Sequence, residues 1–253
     1  MKVLLSPAKS LDFDVSASKV DVTTPLFLEH SKTIHKVLKS KSPQDLSQLM
    51  KISDALGELN YNRNQNWQLP FTPDNAKPAV YVFNGGVYKG LQARSIAKNN
   101  ITNMQHTLRI ISGLYGMLKP MDLIQPYRLE MGTKLEIHKS KNLYDFWRTT
   151  LTEALNDDLS EHELLLNLAS NEYFKAIDVK SLKVPPVHVM FKDLKHGVYK
   201  TISFFAKEAR GLMARYIIDE NIKTKEGLKD FNGGGYAFSN TMSKENTLVF
   251  IRS

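Results

Sequence analysis

Four short apolar segments, each followed at once by small or polar residues, constrain the fold of this chain more than any other feature. They are VLLS at 3–6, AVYVF at 79–83, TLRIISG at 107–113 and ELLLNLAS at 163–170. Short apolar runs that end in turn residues are typical of buried strands, so we predict four strands. We also predict a hairpin over 187–205, which turns near His196 and Gly197, and a last strand in TLVFIRS at 247–253.

Helical periodicity occupies much of the sequence between these strands. The predicted helices span 25–40, 44–50, 53–64, 142–157, 206–222 and 224–231. Because strands and helices intermingle, we predict an α/β (mixed α+β) fold, in which one compact domain over 1–253 holds a mixed β-sheet with flanking helices. Residues 14–75 lack a strand pattern and are predicted to form a helical insertion after the first strand.

The residue types present exclude several classes of site. The chain has 253 residues and no cysteine, which excludes disulfides, thiolate metal sites and thiol redox cycles. Its seven histidines are scattered without the spacing of a helical zinc site, so we predict no metal and no cofactor. No apolar run approaches the roughly 20 residues that span a bilayer. The apolar run in MKVLLSPAKS is too short for a signal peptide, so we expect a cytoplasmic protein without membrane contact.

The charge balance favours a polyanionic partner. Lysine and arginine outnumber aspartate and glutamate by 34 to 26, which gives a net charge of +8. An excess of this size is common in proteins that bind nucleic acids, nucleotides or other phosphate compounds. A basic surface that serves only solubility is the alternative.

Polar groups follow the first two predicted strands directly. The first strand runs into SPAKS at 6–10, which places Lys9 at the carboxyl end of a strand, where open α/β sheets commonly bind ligands. The second runs into FNGGVYKGL at 83–91, in which Asn84-Gly85-Gly86 predicts a tight turn. Glycines there allow backbone N–H groups to approach a ligand. An exposed lysine and an ordinary turn are the alternatives.

The third and fourth strands end in the same way. After the third, Arg128 and Glu130 share one face if that segment is extended, with Leu129 on the other. The pair is either a structural ion pair or a guanidinium that binds phosphate while the carboxylate orients it. After the fourth strand, Ser170 or Asn171 is placed to cap a following helix. Four polar turns of this kind predict a shared rim.

Two basic helical segments could supply positive charge to such a rim. In the helix near 206–218, Lys207 and Arg210 point away from a core face that includes Ala209 and Met213. Residues 31–52 predict a helix, a short hairpin at Ser42-Pro43 and a second helix. Its lysines are Lys32, Lys36, Lys39, Lys41 and Lys51. Such a helical hairpin can contact a phosphodiester backbone without sequence preference, although solvated lysines are the common alternative.

Five motifs together carry a resemblance to a known family. They are SPAKS, FNGGVYKGL, ISGLYGMLKPMDLIQPYRLEMGT, NLASNEYF and KEARGLMARYI, which occur in this order along nearly the whole chain. The chain resembles the YaaA family of bacterial peroxide-stress proteins, which is of the UPF0246 type. The central motif is long and unusual, so the resemblance is specific.

The resemblance implies a single-domain cytoplasmic protein with a positively charged cleft and a helix-hairpin-helix element that binds DNA. It also implies a role in keeping unincorporated iron low during hydrogen peroxide stress, which limits oxidative damage to DNA and proteins. The counterpart of the helix-hairpin-helix would be residues 32–51. The cleft residues carried over by motif are Lys9, Asn84, Tyr88, Arg128, Glu130, Asn171, Glu172, Lys207 and Arg210. The chain departs from the expected pattern at Gly86, where we expect aspartate, so no acid role is carried over to that position.

These observations lead to one predicted function and two alternatives. Without cysteine, peroxide cannot be reduced through a sulfenic acid, so protection must be indirect, and we predict a monomeric DNA-binding stress protein. The first alternative is an enzyme that acts on a nucleotide or on a base in DNA, with Lys9, Glu130 and Glu172 as candidate acid, base or nucleophile. Arg128 and Arg210 would then hold phosphate. The second alternative is a scaffold whose basic face binds an acidic protein.

Overall fold

The computed structural model describes residues 1–14 and 21–253 and contains strands and helices in alternation. The strands are β1 (Lys2–Leu5), β2 (Ser10–Leu11), β3 (Lys77–Pro78), β4 (Phe83–Asn84), β5 (Leu108–Ser112), β6 (Gly116–Leu118), β7 (Leu123–Ile124), β8 (Leu165–Asn167), β9 (Val187–Lys195), β10 (Val198–Lys200), β11 (Ala237–Phe238) and β12 (Thr247–Arg252). The α-helices are α1 (Leu28–Lys39), α2 (Pro43–Met50), α3 (Asp54–Asn66), α4 (Ala79–Val82), α5 (Gly86–Leu91), α6 (Ile101–Thr107), α7 (Leu143–Asp158), α8 (Asn171–Phe174), α9 (Ser203–Asp219) and α10 (Lys225–Lys229). Single 3-10 turns lie at 93–95, 98–100, 179–181 and 233–235.

The main sheet has the order β11-β12-β9-β8-β1-β5-β6, and β10 pairs with β9. Strands β12, β9, β8, β1 and β5 run parallel, whereas β6, β10 and β11 pair antiparallel with their neighbours. Residues 3–5, 108–112 and 165–167 are buried throughout, as expected for parallel strands that helices cover on both faces. The predicted α/β class with a mixed sheet is therefore confirmed.

The strands that follow β1 in the sequence are placed on both sides of it in the sheet. From β1 the chain crosses to β5 on one side, and from β8, on the other side of β1, it continues to β9. The connections that leave the carboxyl ends of β1 and β8 therefore diverge and leave a crevice between them. Crevices of this kind, called topological switch points, are the usual ligand sites of open α/β sheets.

Two hydroxyl side chains join the ends of these two strands. Ser6 follows β1, and its Oγ accepts a hydrogen bond of 2.8 Å from the backbone N–H of Ser170, which follows β8. The same Oγ lies 3.3 Å from Ser170 Oγ. These bonds fix the floor of the crevice.

Helices α5 and α9 pack so closely that glycine is required on both. A Cβ at Gly90 would lie 2.2 Å from the carbonyl oxygen of Glu208, and a Cβ at Gly211 would lie 1.8 Å from that of Val87. Both contacts are with backbone atoms, which cannot rotate away. The two backbones are thus in direct contact, and α5 sets the position of α9.

The helical segment expected within 14–75 contains α1, α2 and α3, while residues 15–20 of that range lie outside the described residues. Ser42 caps α2 through a reciprocal pair of hydrogen bonds with Asp45. Helix α2 ends at Lys51, whose φ of 52° is left-handed. The chain then turns directly into α3, and α2 and α3 pack together where Gly57 meets Ser47.

Two sequence predictions are corrected by the structure. Residues 79–82 of the predicted second strand form the short helix α4, and only Phe83 continues into a strand. A buried apolar run has no polar face to reveal its period, so such a run does not distinguish strand from helix. In the predicted hairpin, β10 ends at Lys200, and residues 203–205 already belong to α9.

Candidate functional site

A pocket with a cavity volume of about 260 Å³ lies at the switch point between the ends of β1 and β8. It is lined by Ser6, Pro7, Ala8, Lys9, Ser10, Asn84, Gly85, Gly86, Val87, Tyr88, Ser170, Glu172, Tyr173, Lys207 and Arg210. We call it the switch-point pocket. Segments far apart in the sequence, namely the β1 loop, the start of α5, α8 and the first half of α9, meet there.

Arg210 gives the pocket its most unusual feature. Its side chain is partly buried, and burial lowers the pKa of the guanidinium because desolvation penalises the charged form. Within residues 1–14 and 21–253 it forms no ion pair, and its buried Nε has no hydrogen-bond partner. Buried guanidinium groups are normally paired with a carboxylate. Arg210, which lines the pocket, therefore has a buried donor, Nε, without a partner among the described residues.

Lys9 belongs to a three-residue ion cluster at one wall of the pocket. Glu130 Oε1 accepts a hydrogen bond from Arg128 Nη2 at 2.9 Å and forms an ion pair with Lys9 Nζ at 3.0 Å. The Glu130 and Arg128 side chains are mostly shielded, whereas that of Lys9 is 65% exposed. Glu130 Oε2 and Arg128 Nε are buried and lack a partner among the described residues. Leu129 lies in the core between them, as the alternating pattern predicts.

The glycine-rich segment that carries Arg128 and Glu130 folds back over the end of β5. Gly113 permits this return, because a Cβ there would lie 2.4 Å from the carbonyl oxygen of Leu129. The hydroxyls of Ser112 and Tyr127 are joined by a hydrogen bond of 2.7 Å. Burial raises the pKa of Tyr127, so this phenol stays neutral. Gly113 and the hydrogen bond between Ser112 and Tyr127 therefore position the segment that carries the ion cluster.

Helix α8 contributes Glu172 but not Asn171. Glu172 Oε1 accepts a hydrogen bond of 3.0 Å from the backbone N–H of Gly132, which ties α8 to the glycine-rich segment. Asn171 is exposed and does not line the pocket. Ser170 occupies the N-cap position but makes no side-chain capping bond, because its hydroxyl is directed to Ser6.

The start of α5 and the residues just before it form another wall of the pocket. Asn84 is exposed on β4, which pairs with β2 beside Lys9. Tyr88 is buried, and its hydroxyl donates to the carbonyl oxygen of Ser6 at 3.0 Å. Burial raises the pKa of Tyr88. Tyr88 thus holds the end of β1 in place and does not present a free donor. A Cβ at Gly86 would lie 2.9 Å from Lys207 Cβ, so glycine here permits contact with α9.

The structure therefore brings together most of the site residues predicted from the motifs. Lys9, Asn84, Tyr88, Glu172, Lys207 and Arg210 line one pocket, and Arg128 and Glu130 reach it through Lys9. Ser6, Ser170 and Tyr173 also line it, and no role was predicted for the first and last of these. The signal for Ser6 and Ser170 was present, because each is a small hydroxyl residue just beyond a predicted strand.

The five lysines of the predicted helical hairpin do not line this pocket. Lys32 lies 3.6 Å from Glu29 on the same helix, and Lys39 Nζ lies 3.4 Å from the carbonyl oxygen of Gln65. The turn at Ser42-Pro43 is present, but the helices in close contact are α2 and α3, joined through Lys51. The closely packed pair lies one helix later than the predicted 31–52.

A larger cavity of about 710 Å³ lies elsewhere, near the amino end of β5 and the carboxyl end of α7. Its buried guanidinium, Arg109, is held by both oxygens of Asp158, with Nε–Oδ2 and Nη2–Oδ1 distances of 2.7 and 2.8 Å. That charge is satisfied, so this cavity lacks the unpaired donor of the switch-point pocket.

The described residues contain neither a metal-binding cluster nor a membrane-spanning helix. Within 1–14 and 21–253, no three His, Asp or Glu side chains lie close enough together to hold a metal ion. None of the helices in these ranges is long and apolar enough to cross a membrane.

The mixed sheet, with polar residues gathered at its switch point, defines an α/β protein with a candidate ligand pocket at the carboxyl ends of its parallel strands. A family model described as peroxide stress protein YaaA matches residues 1–242. The chain therefore belongs to the YaaA family of peroxide stress proteins, as the sequence motifs indicate. It is 56% identical to a UPF0246 protein of Flavobacterium johnsoniae and 55% identical to one of Flavobacterium psychrophilum, and each match covers 100% of both chains. A UPF0246 protein of Idiomarina loihiensis is 49% identical over 100% of this chain and 99% of its own.

Proposed function

We propose that this peroxide stress protein binds DNA and that the switch-point pocket holds a backbone phosphate. The observation that carries the proposal is the partly buried guanidinium of Arg210, which forms no ion pair within the described residues and lies in one pocket with Lys9 and Lys207. A phosphate oxygen accepts charge-assisted hydrogen bonds from a guanidinium, often two at once. An anion in the pocket would satisfy donors that the protein itself leaves open.

The ion cluster supports the same proposal. Glu130 draws the side chains of Lys9 and Arg128 together, so two further cations are held at the edge of the pocket. Contacts of this type are made to the backbone and not to base edges, so binding would be largely independent of sequence. The lysines of α1, together with Lys41 and Lys51 on either side of α2, would add contacts to the same strand outside the pocket. The net charge of +8 favours such contacts at low salt.

The connection to peroxide stress is proposed to be indirect. The chain has no cysteine, so a thiol-based peroxidase cycle is excluded. We propose that this protein, when it is bound to DNA, limits iron-dependent oxidative damage to DNA and proteins without consuming peroxide itself.

Equilibrium binding to a fluorescein-labelled duplex, followed by anisotropy, tests this proposal. Arg210→Gln removes one charge from the pocket and is expected to weaken binding by at least tenfold, since a hydrogen bond to a charged group contributes about 1.5–3 kcal/mol. Lys98→Gln removes the same charge from an exposed 3-10 turn outside the pocket and is the matched control. Equal affinities of the two variants would contradict the proposal.

A second experiment separates the helical lysines from the pocket. Lys36 and Lys39 are both exposed on α1. Replacing both with glutamate is expected to weaken binding to every DNA sequence by a similar factor, because backbone contacts carry no sequence information. Unchanged affinity would remove α1 from the proposed DNA surface and leave the pocket as the phosphate site.

An enzyme that acts on a nucleotide or on a base in DNA is the second candidate. Glu130 favours it, because Oε2 is buried and unpaired while Oε1 contacts Lys9, which gives an amine and a carboxylate in direct contact. Such a pair is a common arrangement for general acid–base or nucleophilic chemistry. Glu172 fits a catalytic role less well, since Gly132 already donates to one of its oxygens.

Incubating labelled DNA and a panel of nucleotides with wild type, Lys9→Ala and Glu130→Gln tests the enzyme. Turnover or a covalent adduct with the wild type alone would establish it. If the wild type yields neither product nor adduct, the enzyme is rejected, and the DNA-binding proposal is unaffected.

A further inference from the structure

Phe204 is a large aromatic side chain that the fold leaves in solvent. It is 69% exposed in the first turn of α9. Isolated exposed apolar residues are ordinary on protein surfaces, so exposure alone assigns no role. Its position relative to the switch-point pocket is what distinguishes it.

The contact between α5 and α9 relates Phe204 to that pocket, because Phe204 lies one helical turn before Lys207, which lines it. Gly86, the first residue of α5, lies against Lys207, and Gly90 lies against the backbone of Glu208 and Gly211, so the start of α5 meets α9 near Lys207. Phe204 precedes Lys207 by three residues and therefore lies on the same ridge, one turn earlier. Phe204 does not line the pocket itself, so its ring lies outside the pocket and near the end of α9 that meets the start of α5.

Neighbouring side chains hold the ring without covering it. The ring of Phe205 meets that of Phe204 at an interplanar angle of 72°, with 5.7 Å between centroids. Phe205 is in turn covered by the guanidinium of Arg252, 4.6 Å from its ring centroid. Phe205 therefore braces one side of Phe204, and most of the Phe204 surface remains open to solvent.

We infer that Phe204 stacks on an unpaired nucleobase whose adjoining phosphate occupies the switch-point pocket; this inference rests on the proposed function. An exposed aromatic ring beside cations that hold the backbone is the usual arrangement for binding single-stranded nucleic acid. Bases within a duplex have both faces covered by their neighbours, so only an unstacked base offers a face to the ring. The protein therefore prefers single-stranded or locally unpaired DNA to intact duplex of the same sequence.

The test compares affinities for a single strand and for its duplex by anisotropy. Phe204→Ala and Phe204→Leu are expected to bind the single strand about 5- to 150-fold more weakly, the range that corresponds to loss of one base-stacking contact. Phe204→Trp, which keeps an aromatic face, is expected to retain affinity. Leu59→Ala is the matched control, because Leu59 is also exposed, at 42%, on α3. Duplex affinity is expected to change less than twofold in all four variants.

Three results would overturn the inference. Retention of single-strand affinity by Phe204→Ala would show that no base stacks on the ring, and so would an equal loss in Phe204→Trp and Phe204→Leu. An equal loss for duplex and single strand would assign Phe204 a general apolar contact. If Arg210→Gln binds DNA more weakly but the Phe204 variants bind as the wild type does, the proposed DNA binding stands and only the stacking inference fails. If the wild type binds no DNA, the proposed function and the stacking inference are both refuted.

Discussion

Replacing Gly211 with alanine is expected to displace the helix that carries Lys207 and Arg210. The added Cβ would lie 1.8 Å from the carbonyl oxygen of Val87 and 2.7 Å from the backbone nitrogen of Leu91. A carbon and a carbonyl oxygen in contact lie at about 3.3 Å or more, so the helices must separate by about 1.5 Å. Such overpacking typically costs about 1–3 kcal/mol and occasionally more.

The gain in helix propensity from the same substitution is smaller than the cost of overpacking. Alanine in place of glycine in a helix interior stabilises by about 1 kcal/mol. Since both clashing atoms belong to the backbone of α5, we expect the upper end of the overpacking range, and a net loss of about 2 kcal/mol in the free energy of unfolding. The same displacement moves Arg210 relative to Ser6 and Lys9, so DNA affinity is expected to fall as well.

Urea unfolding followed by circular dichroism measures the change. The matched control is Gly227→Ala in α10, where the added Cβ would meet side-chain atoms at 3.2 Å and beyond, so we expect a change of less than about 1 kcal/mol. If Gly211→Ala is as stable as the wild type, α5 and α9 do not touch at this point, and the reasoning that positions the two cations is refuted.

Three further predictions concern stability and its dependence on pH. Ser6→Ala is expected to cost about 1–3 kcal/mol in urea unfolding, because it leaves the N–H of Ser170 without its acceptor; Ser10→Ala, at the exposed end of the same loop, is the control and should cost little. Burial raises the pKa of Asp158, but the hydrogen bonds and charge of Arg109 lower it by more, so the folded pKa lies below its ordinary value. The ion pair therefore stabilises the fold above about pH 4 and this contribution is lost as pH falls further, so Asp158→Asn should lower stability at pH 7 and reduce its decline in acid; a decline as steep as that of the wild type would contradict the assignment. Glu130→Gln is expected to release Lys9 and weaken its protection from amine-reactive reagents, measured by mass spectrometry, and unchanged labelling would show that the pair does not persist in solution.

The class of fold was predictable because the central strands are continuously apolar. Segments 3–6, 107–113 and 163–170 were recognised as strands, although nothing in them specified that β1 lies between β5 and β8. Strand order depends on the pairing of distant segments, which single-segment patterns do not encode. The switch point could therefore not be predicted, and neither could the bond between Ser6 and Ser170.

Short apolar elements were the least predictable. The segment AVYVF is helical through Val82, but its side chains are all apolar or aromatic, so no periodicity in the sequence distinguishes helix from strand. Helix α5 was predicted only as a turn, since Gly86 and Gly90 are poor helix formers and are present because α9 approaches so closely. The tight connection from α2 to α3 was not predicted, because Lys51 takes a left-handed conformation that is usually signalled by glycine.

The site was predicted in part: the residue types that form it were identified, but their arrangement in space was not. The polar residues at the strand ends were identified individually, and their spacing predicted the Arg128–Glu130 pair. Arg210 was expected on an exposed face, but it is partly buried, and its shielded Nε has no partner in the described residues. That environment arises from the packing of α9 against the sheet, which the helical pattern alone does not contain.

The salt dependence of DNA affinity in wild type and Arg210→Gln tests most directly whether Arg210 binds phosphate. Each neutralised phosphate adds about 0.9 to the slope of log affinity against log salt concentration for duplex DNA. We predict that the slope for Arg210→Gln is shallower than that of the wild type by about 0.9, and that Lys98→Gln keeps the wild-type slope. Identical slopes for all three proteins would contradict a phosphate in the switch-point pocket.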